Sequence, residues 1–291
     1  MHANSTPLRS PMKRVTVVLV ALTASAPSVR GQAADTAVLR PVVVSAPRVP
    51  IGRDAAPASV TVLRGDDLRA RGIVNVSDAL ATVAGIAVVR SGSFGATTAV
   101  FARGGESDYM KVLVDGVPVN NPGGAFDFAS LSTDNVDRIE VVRGPASVAF
   151  GSDAVAGVVQ LFTRHGNGAP RGSAAVRGGS FGTVEADAGV AGGSSALGYS
   201  LGLANRESDG ILPFNNDYRN RTASGRLTSH PVGATVDLTA RRIDATYHFP
   251  TDGSGAIVDS NAVRRDHRTV LGLDASKAVS ARVAVRLLGA A

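Results

Sequence analysis

The chain has no cysteine and no tryptophan, and aromatic residues make up only 4% of its 291 positions. Without cysteine there are no disulfides, no thiol nucleophile, no iron–sulfur cluster and no Cys-ligated zinc. Lysine is scarce too: it supplies three of the 30 cations, at Lys13, Lys111 and Lys277, so the remaining 27 are arginine. The formal net charge of +6 raises the question of nucleic acid. The arginines are spread along the whole chain with no stacking aromatics beside them, which argues for no nucleic-acid partner. Long apolar runs are missing as well. The apolar run Val15 to Leu22 is too short to cross a bilayer as a helix, so a membrane role would require strands. His165, His230, His248 and His267 are scattered, with no pair at helical metal spacing, and there is no phosphate-binding loop of the Walker type. The chain reads as a non-enzyme without a resident cofactor.

What is present is organised in blocks. Lys13 and Arg14 precede the apolar run, and Ala24-Ser25-Ala26 and Gly31-Gln32-Ala33 follow as small-residue cleavage sites. Residues 1–33 therefore read as a secretory signal peptide, with Met12 an alternative start. Residues 34–57 read as an extended linker, because Pro41, Pro47, Pro50 and Pro57 forbid a helix. Inside it, Pro41-Val42-Val43-Val44-Ser45-Ala46 is an isolated β-prone run. Residues 58–165 have a compact α+β pattern. Strands are expected at Ser59–Leu63, Ile86–Val89, Val100–Arg103, Val112–Val114, Ile139–Val142 and Val158–Thr163. Helices are expected from Asp66 to Arg71 and, capped by Asn75, from there towards Gly85, with Val76, Leu80 and Val83 on one face. Asp115-Gly116 after Val112–Val114 is a strong hairpin signal.

From residue 171 to 291 the period becomes two. Leu197, Tyr199, Leu201 and Leu203 share one face, with Gly198, Ser200 and Gly202 on the other. Thr222, Ser224, Arg226 and Thr228 oppose Ala223, Gly225 and Leu227, and the pattern continues through Val236–Arg241, Leu271–Ala275 and Val283–Leu287. About seven strands of roughly ten residues fit an antiparallel transmembrane β-barrel. A water-soluble sandwich shares the alternation, but strand length and the signal peptide favour the barrel. Seven strands cannot enclose a domain of this size, since plugged barrels use about 22. The expectation is an incomplete barrel in a C-terminally truncated chain.

Several phrases stand in a telling order: Arg103-Gly104, Val114-Asp115-Gly116-Val117, Val142-Arg143-Gly144-Pro145 and Gly151-Ser152-Asp153-Ala154. Together they resemble the plug domain of TonB-dependent outer-membrane receptors, with the order of parts found in the vitamin B12 receptor type. Phe150 replaces a frequent Tyr, and Ala156-Gly157 a usual Gly pair. The resemblance implies an outer-membrane location, contact with outer-membrane lipid, and uptake of a scarce small molecule, cobalamin first and ferric siderophores next. It implies that Pro41 to Ala46 is the box that pairs with the inner-membrane TonB complex. It implies ligand loops at Ser91, Gly92, Ser93 and Phe94, and at Asn120, Asn121, Phe126 and Asp127, with one or two exposed aromatics. It implies structural or gating roles for Arg103, Gly104, Asp115, Gly116, Glu140, Arg143, Gly144 and Gly151, with Arg103, Arg143 and Glu140 as candidate plug–barrel or intra-plug pins. The plug should be held by many polar contacts rather than by a dry core. Asp209, Asn216 and Asp217, with Asn215, form a small oxygen-ligand cluster that makes calcium a minor candidate. A passive porin or adhesin-like barrel with an internal globular segment is the alternative.

Overall fold

The computed structural model describes residues 42–43, 51–52 and 59–291, apart from 253, 281 and 282. The expected signal peptide, most of the linker, and Pro41, Val44, Ser45 and Ala46 of the box lie outside the described residues. The two box residues that are described, β1 (Val42–Val43), pair antiparallel with β2 (Ile51–Gly52).

A small α+β unit follows. β3 (Ser59–Arg64) leads into α1 (Gly65–Ala70), then α2 (Val76–Leu80), the hairpin β4 (Ile86–Arg90) and β5 (Thr98–Ala102), and β6 (Met110–Val114) with β7 (Val117–Pro118). β8 (Val136–Arg143), the four-residue α3 (Ser147–Phe150) and β9 (Gly157–Thr163) complete it. The main sheet runs β3-β8-β9-β6-β7, antiparallel except for the β6–β9 pair. β9 is buried along its whole length because the sheet is covered on both faces. Leu68, Val76, Leu80, Val112, Phe128, Ile139 and Leu161 form the centre of the apolar core.

The second helix is shorter than its sequence suggests. It stops at Leu80, and the chain tightens into turns in which Thr82 N donates to Ala79 O and Val83 N to Leu80 O. Val76, Leu80 and Val83 are nonetheless all buried on one face. Asn75 has the extended backbone of a cap residue, yet its side chain makes no cap bond; its Nδ2 donates to Asp78 Oδ2 at 3.0 Å instead.

The seven later strands are β10 (Arg171–Gly178), β11 (Val184–Gly193), β12 (Leu197–Ser208), β13 (Tyr218–Ser229), β14 (Ala234–His248), β15 (Val263–Ser280) and β16 (Val283–Ala290). They pair antiparallel in sequence order as one open sheet. β14 and β15 reach 15 and 18 residues, well beyond the ten expected. Burial alternates most regularly on β12 and β13. On β12, Gly198, Ser200, Gly202, Ala204, Arg206 and Ser208 face the plug and are buried, while Leu201 and Leu203 are 57% and 63% exposed on the other side. The proximal end of this wall is where the plug runs into β10; the distal end carries the long loops 209–217 and 249–262.

Candidate functional site: the plug against the wall

The β6–β7 hairpin turns at Asp115 (φ 49°) and Gly116 (φ 84°), the pair of positive φ values that a tight two-residue hairpin demands. The Asp115 carboxylate accepts from Thr163 N at 2.8 Å and Thr163 Oγ1 at 2.5 Å, tying the turn to the end of β9. It also meets Arg226 Nη1 of the wall at 3.3 Å. Arg226 Nε in turn lies 3.0 Å from Asp237 on β14, so one guanidinium bridges a plug carboxylate and a wall carboxylate. A cavity of about 900 Å³ opens beside this bridge, between the hairpin and β13–β16.

A second pin is deeper. Arg241 of β14 lies 3.1 Å from Asp134 Oδ1, with the two side chains 2% and 3% exposed. The same guanidinium donates to Ser132 O at 3.0 Å and Ser132 Oγ at 2.9 Å. Towards the distal end, Arg264 pairs with Asp127 at 3.0 Å and donates to Thr97 Oγ1 at 2.7 Å and Gly95 O at 2.5 Å. Further hydrogen bonds fill the rest: Asn220 Nδ2 to Ser130 O at 2.9 Å, Ser130 Oγ to the Asp266 carboxylate at 2.8 Å, and Ser200 Oγ to Arg164 O at 2.6 Å. The interface is mostly polar, as the sequence suggested. Ile243 and Val270 add an apolar contribution from the wall to the plug core.

The charged residues singled out from the sequence lie within the plug. Arg103 is exposed at a positive φ of 51°, with its guanidinium over Gly144. Glu140 is buried and bound by Arg138 Nε at 2.7 Å, and Arg138 also stacks over Phe162 at 3.8 Å. Arg143 donates to Ala84 O and, at 3.1 Å, to Thr61 Oγ1. The described partners of Glu140 and Arg143 lie inside the plug, the intra-plug one of the two expected alternatives. At the wall, arginines on the strands meet aspartates on the plug. Sequence reasoning missed Arg226, Arg241, Arg264, Asp127 as a pin, and Asp134. The available signal was that Arg226 alternates in phase with Thr222, Ser224 and Thr228, hence on the plug-facing side. Gly104 (φ 76°), Gly144 (φ 117°) and Gly151 (φ 92°) occupy left-handed backbone at the motif turns. Next to the last of these, Lys111 Nζ lies 2.6 Å from Asp153, and that hydrogen bond holds the Asp153 carboxyl below its ordinary value.

Of the expected ligand loops, Ser91, Gly92 and Phe94 are exposed and Ser93 is half-buried. Of the one or two aromatics expected to be exposed, Phe94 is and Phe126 is not. It is 6% exposed and packs edge-on against Phe128 with centroids 4.7 Å apart, because the chain turns it into the core. Asn120 serves the backbone: its amide bonds Val112 N, Met110 O and Gly124 O. Asn121 is exposed. Asp127 accepts from Thr98 N and Ala129 N, both at 2.9 Å.

Asn216, Asp217 and Asn215 of the calcium cluster use their side chains in other bonds, and Asp209 is held through its backbone N–H. Asn216 accepts from Leu212 N at 3.0 Å and donates to Ser93 Oγ at 3.0 Å, fixing loop 209–217 to the plug. Asp217 pairs with His248 Nδ1 at 2.9 Å, Asn215 Nδ2 donates to Ala262 O at 3.1 Å, and Asp209 N bonds Phe181 O at 2.9 Å. Among the described residues no three His, Asp or Glu side chains are placed to share a metal ion. Gly178-Gly179-Ser180-Phe181-Gly182 has the spacing of a hydrolase elbow, but it forms the turn between antiparallel β10 and β11, not the strand-to-helix turn that such chemistry needs.

Comparison with known proteins agrees with this geometry. Residues 53–158 match the family described as TonB-dependent Receptor Plug Domain. The vitamin B12 transporter BtuB of Vibrio vulnificus is 36% identical over 122 residues, covering 42% of this chain and 20% of that protein. BtuB of Photobacterium profundum is 29% identical over 209 residues, covering 68% of this chain and 34% of that protein. The ferripyoverdine receptor of the Pseudomonas aeruginosa outer membrane superposes with a TM-score of 0.67 at 16% identity, covering 81% of this chain and 34% of that one, which shows the fold. The chain thus spans between a fifth and about a third of the length of these relatives. Residues 53–158 match a TonB-dependent receptor plug domain, and the antiparallel strands that follow have the fold of such receptors.

Proposed function

We propose that this chain belongs to a gated uptake system: a scarce small molecule, cobalamin in the first instance and a ferric siderophore in the second, is captured at the distal end and admitted when the plug shifts. The observation that carries the reading is the polar seam between plug and wall, above all Arg226 held between Asp115 and Asp237. A plug held by hydrogen bonds and ion pairs exchanges them for water as it moves, whereas a dry apolar interface would have to expose its whole area. Cobalamin stands first because the more similar relatives are vitamin B12 transporters. The work is conformational and breaks no bond in the cargo, so the protein is read as a transporter and not an enzyme.

The inner-membrane TonB complex is the proposed energy source, acting on Pro41, Val42, Val43, Val44, Ser45 and Ala46. An extended segment adds to a partner's sheet edge through backbone hydrogen bonds, and tolerance of side-chain identity follows. Val42 and Val43 are paired with Gly52 and Ile51, so that short ladder must open before a partner strand can take its place. Replacing Val43 with Pro removes a backbone donor and fixes φ. The expected result in whole cells is loss of energised cobalamin uptake with surface binding retained. Undiminished uptake by the variant would refute the box assignment. Growth of a deletion strain on cobalamin, against ferric chelates, decides between the two cargo classes.

A further inference from the structure

Three plug-facing arginines of the wall differ in how their charge is met. Arg226 has two carboxylates and Arg241 has one, but Arg206 on β12 forms no ion pair among the described residues. Arg206 is 6% exposed, and its Nε and Nη1 are closed to water and without a hydrogen-bond partner among the described residues. It lines a cavity of about 30 Å³ between plug and wall, together with Arg177 of β10 and Arg69 and Arg164 of the plug. The two carboxylates on the same cavity are already engaged, Asp187 with Arg177 at 2.7 Å and Asp134 with Arg241 at 3.1 Å. Arg69 and Arg164 share one carboxylate, the exposed Asp66. Five arginines thus meet three carboxylates. Glu185 stands next to Arg206 in the register of β11 and β12 without pairing to it, and counting it still leaves one positive charge unmatched.

We propose that this cavity is a binding site for a small monatomic anion of the chloride class, which bridges arginines of the plug and of the wall. Such a site lies outside the uptake reading and is indifferent to the cargo. Charge is the first ground. Arginine keeps its proton in proteins, so Arg206 cannot shed its charge as a buried lysine or histidine can. Ordered water can accept from its N–H groups but brings no countercharge, and a buried cation without one is strongly destabilising. Size narrows the ligand. A water fills about 10–15 Å³ of such space. A cavity of about 30 Å³ therefore admits one halide-sized ion and excludes a phosphate or a carboxylate-bearing metabolite. Position gives the ion its role. With Arg69 and Arg164 on the plug side and Arg177 and Arg206 on the wall side, it holds together two surfaces whose charges otherwise repel. Asp134 borders the same cavity, so the ion adds to the anchor at Arg241 rather than to the hairpin.

The test uses the whole protein, purified in detergent and crystallised with bromide, whose anomalous scattering marks a halide site. One bromide peak is expected between Arg206 and the plug arginines in the wild type, and none there in R206M. In solution, exchanging gluconate for chloride at constant ionic strength should raise the unfolding temperature of the wild type by about 2 °C or more and leave R206M unmoved. R206M also reports on its own folding: with no stranded cation it should be at least as stable as the wild type in gluconate. E185Q separates the anion from the internal rival. Loss of a neighbouring negative charge should lower the bromide concentration for half occupancy by about tenfold. Should Glu185 be the partner of Arg206 instead, the wild type would show no bromide and only E185Q would take one up, which overturns the proposal. Water alone in the wild-type cavity, or an equal chloride response in wild type and R206M, overturns it as well. None of these readouts involves transport, so they stand or fall apart from the uptake reading.

Discussion

Arg241 and Asp134 are almost fully buried against one another, and every further bond that the described structure gives the guanidinium also goes to the plug, through Ser132 and the Asp134 carbonyl. Removing the carboxylate leaves a cation with no ionic partner in a place that water does not reach. Breaking one side of such a pair costs about 3–5 kcal/mol. Asp134→Ala should therefore lower the stability of the purified protein by that amount in detergent unfolding experiments, and adding Arg241→Met should restore most of it. The exposed pair Arg219–Glu207, 3.0 Å apart with side chains 56% and 39% exposed, supplies the contrast. Glu207→Gln should change stability by less than about 1 kcal/mol. Equal effects at the two sites would mean that burial does not set the value of these pins.

At the scale of elements, the β6–β7 hairpin shows what a local sequence can specify. Gly116 adopts φ 84° and an added Cβ would meet nothing within 4 Å, so the need for glycine is purely conformational. Gly116→Ala should cost about 1–2 kcal/mol through the left-handed backbone alone. Gly116→Asn should recover part of that, because asparagine tolerates this region; unfolding midpoints of the two variants measure the difference. This hairpin was legible because Asp115-Gly116 carries its own geometry, and β11–β16 were legible because alternation is a property of neighbouring residues. The early end of α2 was not, since its apolar spacing runs on past Leu80 while the backbone changes to tighter turns. Phe126 was misjudged for a related reason. Its loop is rich in turn formers, and only Phe128, brought alongside it by the fold, reveals that it belongs to the core. The pins were illegible for want of distance information: Arg226 meets Asp115 across 111 positions and Arg241 meets Asp134 across 107. Sequence pattern places such an arginine on a face but does not name its partner.

Across the whole molecule, the two deep pins are unequal in what they leave behind when they part. If the hairpin withdraws from the wall, Arg226 keeps Asp237 and Asp115 keeps Thr163 N and Oγ1, so neither charge is stranded. If the Asp134 segment withdraws, Arg241 loses all of its described partners together. A pull on the plug should therefore open the seam at the hairpin, where the 900 Å³ cavity already lies, while the segment Ser132–Asp134 stays anchored. The cysteine-free sequence permits a direct measurement. A Cβ built at Gly272 would lie 3.0 Å from Val117 Cγ2, once the Thr239 hydroxyl gives way, and Ser132 Oγ is 3.4 Å from Thr222 Oγ1, so each pair brings a plug side chain against a wall position where a crosslink can be engineered. Oxidised Val117→Cys/Gly272→Cys should abolish energised uptake, and reduction should restore it. Oxidised Ser132→Cys/Thr222→Cys should transport at close to the wild-type rate. Should the second bond block uptake as completely as the first, the plug leaves the wall as one body and the unequal seam has no part in gating.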